Sequence, residues 1–313
     1  MKNTSILFKS MPLTVSGLSL GMASLGNILY EYNSNLKVVF SLIALLLLLL
    51  ISMKILMFPK EIKHELNLPM PSSMAPTYPL AIMIISLQIT SFTGYKLNIV
   101  WALAFAIYLI LLIWFSFKFL NTFRLDNIYL PYLIPYIGLA IVSMTAHKYN
   151  MQTLSIITFY LALFFTAIFL VPMYLRYIKY PVTNRSFRPS FTILSAPLAI
   201  ILVSYLEITT KANIIIVTSL LLIYLATYII VLVKLPVLLK TEFYPSIVAF
   251  TFPMIIVINA SKLSYDYYAS LGHDITILKY FYTFQTLLAL ILTIWVTIRF
   301  IKNSFEEIQK ARN

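Results

Sequence analysis

Ten apolar stretches of membrane-spanning length follow one another along the chain, and they alternate between two types. The even stretches are apolar on every side. Residues 38–58 read VVFSLIALLLLLLISMKILMF, with six leucines in a row from Leu45 to Leu50. A helix of that kind faces lipid over most of its surface. The odd stretches carry polar residues at membrane depth. Residues 77–94 place Ser86, Gln88, Thr90, Ser91 and Thr93 where an unpaired polar group costs several kcal/mol, so this helix must face protein or water. About 20 apolar residues cross a bilayer as a helix. On that scale the pattern predicts spans at 11–30, 38–58, 77–94, 97–117, 128–145, 151–173, 189–206, 213–233, 244–261 and 280–301.

Proline gives the alternation a period. Pro71 and Pro79 stand eight residues apart at the start of the third span, as do Pro189 and Pro197 in the seventh and Pro245 and Pro253 in the ninth. Span 5 has Pro131 and Pro135 at closer spacing, and span 1 only Pro12. From Pro71 to Pro189 is 118 residues and from Pro189 to Pro245 is 56, so the unit repeats about every 58 residues. Such self-similarity marks an array of one supersecondary unit, here a helical hairpin. Proline within a membrane helix is tolerated where protein or water satisfies the freed backbone groups. The fold expected is therefore an all-α integral membrane protein of five hairpins. Odd helices kinked at Pro12, Pro79, Pro135, Pro197 and Pro253 would surround a central pore, with the even helices outside. Pro253 should strip the Ala249 carbonyl of its helical partner and Pro197 that of Ile193. Gly17 and Gly21 in span 1 read either as a close helix contact or as small residues that widen a pore.

Composition adds two constraints. The 313 residues are 61% hydrophobic and 11% charged, with a mean hydropathy of +0.91, and the connections leave no room for a soluble module, so residues 1–313 read as a single ten-span domain. The net charge of +13 is a matter of placement: 17 of the 23 basic residues fall in the segments on one side, Lys2, Lys54, Arg176, Arg185, Arg188 and Arg312 among them. That is the positive-inside bias. It places both termini in the cytoplasm of a cell-membrane protein and removes any need for a nucleic-acid partner. Lys54, near the end of span 2, reads as a snorkelling side chain.

Candidate chemistry is sparse. No Asp, Glu, Lys, Arg or His lies in the middle of any predicted span, and His64, His147 and His273 fall in connections with no metal-ligand spacing. With no cysteine, no nucleophile–base pair and no metal or cofactor motif, an enzyme is not expected. A passive pathway is. Without acidic lining it offers cations nothing, whereas backbone amides bared at helix breaks favour anions. Glu207, at the far end of span 7, is the one carboxylate near the path.

The chain resembles the tellurite-resistance/C4-dicarboxylate transporter family, which includes bacterial tellurite-resistance membrane proteins, fungal malate transporters and plant guard-cell slow anion channels. The resemblance rests on Pro12 with Gly17, Gly21 and Gly26; Thr77-Tyr78-Pro79; Ile134-Pro135-Tyr136-Ile137-Gly138; Arg188-Pro189-Ser190 with Ser195-Ala196-Pro197; and Phe250-Thr251-Phe252-Pro253, in order and in the matching spans. It implies a homotrimer in which each protomer has its own pore, plugged by a phenylalanine at the position of Phe252. Two departures, Ser16 before Gly17 and Ala196 before Pro197, leave the pore width and the substrate open. The reading is an anion channel for small inorganic or organic anions, gated by Phe252. Tyr78 would be a second constriction, with Ser16, Thr14, Ser195 and Thr251 as polar lining. The alternatives are a proton-linked carrier of dicarboxylates such as malate or succinate, or a tellurite-related oxyanion exporter.

Overall fold

A computed structural model describes residues 8–121, 124–180, 182 and 184–310, and among these there is helix and no strand. Lys2 and Arg312 of the charge count lie outside the described residues. The ten spans are Val15–Leu29, Ser34–Met57, Thr77–Thr93, Asn98–Phe115, Ile134–Lys148, Gln152–Lys179, Ala196–Ile208, Ile214–Leu238, Phe252–Ser270 and Thr276–Lys310, numbered 1 to 10 below. Among the described residues nine spans, counted with the short segments that lead into them, are long and apolar enough to cross a membrane, and span 1 is shorter. Local chemistry sets several ends. Asn33 and Asn213 cap spans 2 and 8 by accepting from the amides of Asn35 at 2.9 Å and Ile215 at 2.8 Å. Gly94, at φ 76°, closes span 3 in the left-handed conformation that costs glycine nothing.

The odd spans pack in a closed ring, 1 against 3, 3 against 5, 5 against 7, 7 against 9 and 9 back against 1. Each even span lies outside, against its own odd partner and the next one. Burial follows this division. Over an apolar stretch of 18 residues, between 56% and 83% of the residues are buried in the odd spans 3, 5, 7 and 9 with their lead segments, against 22–39% in the even spans. Even spans turn one narrow stripe inward. In span 4 that stripe is Trp101, Ala104 and Tyr108, spaced three and four residues apart as one helix face requires.

The prolines act differently from the expectation. Pro79, Pro135, Pro197 and Pro253 sit in the first turn of their helices, and Pro12 lies in the turn ahead of span 1. They start helices and do not kink continuous ones, because the first turn has no use for the amide that proline lacks. Each of spans 3, 5, 7 and 9 is preceded by a separate short segment: Pro69–Met74, and the 3-10 turns Leu130–Leu133, Arg185–Ser195 and Pro245–Phe250. Among the described residues, the prolines that lie beyond the first turn of a span are Pro172 and Pro236, toward the ends of the even spans 6 and 8.

Two cations expected in water are buried. Lys54 pairs with Glu65 of the short helix Pro59–Leu66 and also donates to the Met11 carbonyl, while Glu65 accepts from the Leu13 amide at 2.7 Å. Arg176 donates to the carbonyls of Ile128 at 2.9 Å and Tyr180 at 2.8 Å, with its guanidinium over the rings of Tyr129 and Tyr177. Each holds a connection against the bundle and neither snorkels.

Candidate anion pathway

Hydroxyl groups close the breaks ahead of spans 1, 3, 7 and 9. Thr77, Ser195 and Thr251 each stand two residues before the second proline, and Ser16 holds the matching place in span 1. Each hydroxyl donates to a carbonyl three residues back: Ser16 to Leu13 at 2.8 Å, Thr77 to Met74 at 2.7 Å, Ser195 to Thr192 at 2.8 Å and Thr251 to Val248 at 2.7 Å. The same groups reach across the ring. Ser16 and Thr77 are 2.6 Å apart, and Thr251 Oγ1 lies 3.4 Å from the Gly17 carbonyl. Thr14 donates to the Pro245 carbonyl at 3.3 Å. All of these hydroxyl-bearing residues are buried.

The breaks therefore bare fewer backbone groups than the prolines alone suggest. The Ala249 carbonyl accepts the Thr192 hydroxyl at 2.7 Å, and the Ile193 carbonyl accepts the Ala196 amide in a 3-10 turn. Amides ahead of span 9 are used the same way, Thr251 donating to Val248 at 3.0 Å and Met254 to Thr251 at 2.9 Å. Tight turns satisfy groups that a broken α-helix would orphan.

Inside this belt is a cavity of about 40 Å³. Its walls come from odd spans and their lead segments: Gly17 and Leu20; Thr77 and Leu80; Ile134, Ile137 and Gly138; Ala196 and Ile200; Val248 and Phe252. Beyond it, toward the C-terminal ends of the same helices, opens a vestibule of about 250 Å³, again walled by odd spans alone. It is more polar, with Ser24, Asn27, Thr145, Asn259, Lys148, Lys262 and Glu207. Phe252 and Ile141 line both spaces. From Phe252 outward, Ile256, Asn259 and Leu263 form one helical stripe, four, three and four residues apart. That spacing is visible in the sequence and was the signal by which the vestibule could have been found there.

Of the residues singled out from sequence, Phe252 and Pro253 stand at the cavity. Ser16, Thr14, Ser195 and Thr251 do not line it: they are spent on the breaks around it. Tyr78 points away, its hydroxyl 2.8 Å from that of Ser52 on span 2. Both readings of the span 1 glycines apply, one to each. Gly17 lines the cavity, whereas a Cβ on Gly21 would lie 2.8 Å from Thr251 Cβ and 3.2 Å from the Phe252 amide nitrogen. Gly21 is thus the contact that lets span 1 approach the break ahead of Phe252.

The vestibule lysines are all paired. Lys148 meets Glu207 at 2.5 Å, and Lys262 binds Glu31, with Asp266 at 3.8 Å. Anion attraction cannot rest on a bare ammonium here. The cavity has room for about three waters by volume. Its lining is almost wholly apolar, so an ion entering it would lose hydration without replacement.

Comparison with the curated proteins finds no match. The model of the voltage-dependent anion channel family, in contrast, matches residues 10–301, nearly the whole of the ring and its outer helices, and the chain belongs to that family.

Proposed function

We propose that the chain is a passive anion channel of the cell membrane, held shut by the Phe252 ring. One observation carries the reading: Phe252 belongs at once to the wall of the apolar cavity and to the wall of the polar vestibule. A ring at that junction completes a hydrophobic constriction, which blocks ions by excluding the water they travel with. The ring belongs to the first residue of span 9, directly after a break, so a rotamer change moves it without unwinding a helix. Anion preference then comes from the five helix N-termini gathered around the cavity, whose partial positive charge persists although their amides are bonded.

The proton-linked dicarboxylate carrier is favoured by one feature, the Glu207 carboxylate in the vestibule. Its ion pair with Lys148, and its place in the last turn of span 7 while Phe252 is in the first turn of span 9, argue for the channel. Proteoliposomes decide between the two. A chloride, nitrate or malate gradient drives charge-moving flux through a channel, whereas electroneutral uptake that collapses without a proton gradient is the carrier's signature and contradicts the proposal. A trimer with both termini in the cytoplasm belongs to the same proposal, supported by the family resemblance and the basic bias. Particle mass and terminal-tag accessibility read them.

A further inference from the structure

Outside the ring, at the basic end of the bundle, two cavities lie side by side. The first, about 130 Å³, is lined by Arg185 and Arg188 of the segment leading to span 7, by Lys240 just past span 8, and by Tyr244 and Glu242. The second is a groove of about 390 Å³ between span 6, the segment leading to span 7, and span 8, walled by Tyr174, Ile178, Phe191, Leu194 and Ile230, with Arg188 and Lys234 also on it. Arg188 and Leu238 line both, so the two spaces adjoin.

Charge and shape together define what fits. Among the described residues Arg185, Arg188, Lys234 and Lys240 have no carboxylate within ion-pair distance. The one acid beside them, Glu242, accepts the Tyr244 hydroxyl at 3.2 Å. Three cations against one carboxylate around the first cavity, with Lys234 beside the second, leave an excess of positive charge that selects an anion with several acceptor oxygens. A soluble anion has no use for the aromatic and aliphatic groove that continues from the site along the helices. A molecule with an anionic head and an acyl chain uses both. We propose that this is a binding site for an anionic phospholipid, its phosphate among Arg185, Arg188 and Lys240 and one acyl chain along the groove.

The test uses the full chain in detergent, delipidated and titrated with phosphatidylglycerol or phosphatidylcholine of identical acyl chains, with bound lipid counted by native mass spectrometry. Phosphatidylglycerol should be retained over phosphatidylcholine. The double variant Arg188→Gln/Lys240→Gln should bind it roughly thirtyfold more weakly, as the loss of two surface charges implies. Ile230→Trp, which fills the exposed groove, should weaken retention while the charges stay. Equal retention of the two lipids by the wild type would overturn the proposal, and that comparison needs no variant to fold. So would a folded double variant that keeps wild-type retention, displacement of the lipid by millimolar inorganic phosphate alone, or cross-linking of Ile230→Cys between two copies, which would make the groove a protein interface.

Discussion

Spans 2 and 9 are both apolar helices of full membrane length, yet they place their side chains in opposite ways. Span 2 is the greasier, with its leucine run, and 28% of its apolar 18-residue stretch is buried; span 9 with its lead segment carries prolines, serines, Asn259 and Lys262, and 72% of the corresponding 18-residue stretch is buried. In water the order would be reversed. In a bilayer the apolar surface is already in its preferred solvent, so hydropathy reports contact with lipid, and the polar, proline-broken helix is the one driven inward. The ring of odd spans is held by hydroxyl-to-carbonyl bonds and close approach, and the outer helices by single inward stripes.

The largest effect should come where an outer helix crosses that division. Lys54 is buried on span 2 and neutralises Glu65, so Lys54→Met should cost about 3 kcal/mol of stability. The double variant Lys54→Met/Glu65→Gln should recover part of it, as measured by thermal unfolding in detergent. An unchanged unfolding midpoint in the single variant would show that the pair adds nothing to the seam. Next comes the ring itself. Gly21→Ala pushes a methyl against Thr251 and the Phe252 backbone, and overpacking of that kind costs about 1–3 kcal/mol. Because the collision is beside the proposed gate, basal anion leak should rise together with the loss of stability. The same measurement on the lipid-facing side should give almost nothing: Leu46 is exposed on span 2, and Leu46→Ala should change stability by less than about 0.5 kcal/mol. A cost as large as that of Gly21→Ala would erase the distinction between the two kinds of helix.

Much of this division was legible in the sequence because it rests on period and polarity. The alternation of spans, the proline repeat and the inward position of the odd helices all follow from residues such as Gln88 and Pro253 read against the cost of burying polar groups. What stayed hidden depends on contacts between distant segments. Nothing local distinguishes a proline that kinks a helix from one that begins it, and the 3-10 turns ahead of spans 5, 7 and 9 decide the matter. Thr251 and Ser195 looked like pore lining because hydroxyls at membrane depth need partners. The partners are carbonyls of the breaks, among them Val248 and Thr192. The burial of Lys54 requires Pro59–Leu66 to fold back and deliver Glu65, which no periodicity announces. The helices of spans 6 and 10 run on past the apolar stretches that end at 173 and 301, to Lys179 and Lys310, which hydropathy alone does not announce.

The central claim, that the Phe252 ring closes the path, is tested most directly by the anion conductance of a size series, Phe252→Leu, Phe252→Val and Phe252→Ala. Each is recorded in planar bilayers with symmetrical chloride, at matched protein amount and with an unchanged unfolding midpoint. Conductance should rise in that order as the ring is cut back, with the alanine variant at least about tenfold above wild type, the equivalent of roughly 1.4 kcal/mol off the barrier. Wild-type currents throughout a folded series would contradict the account.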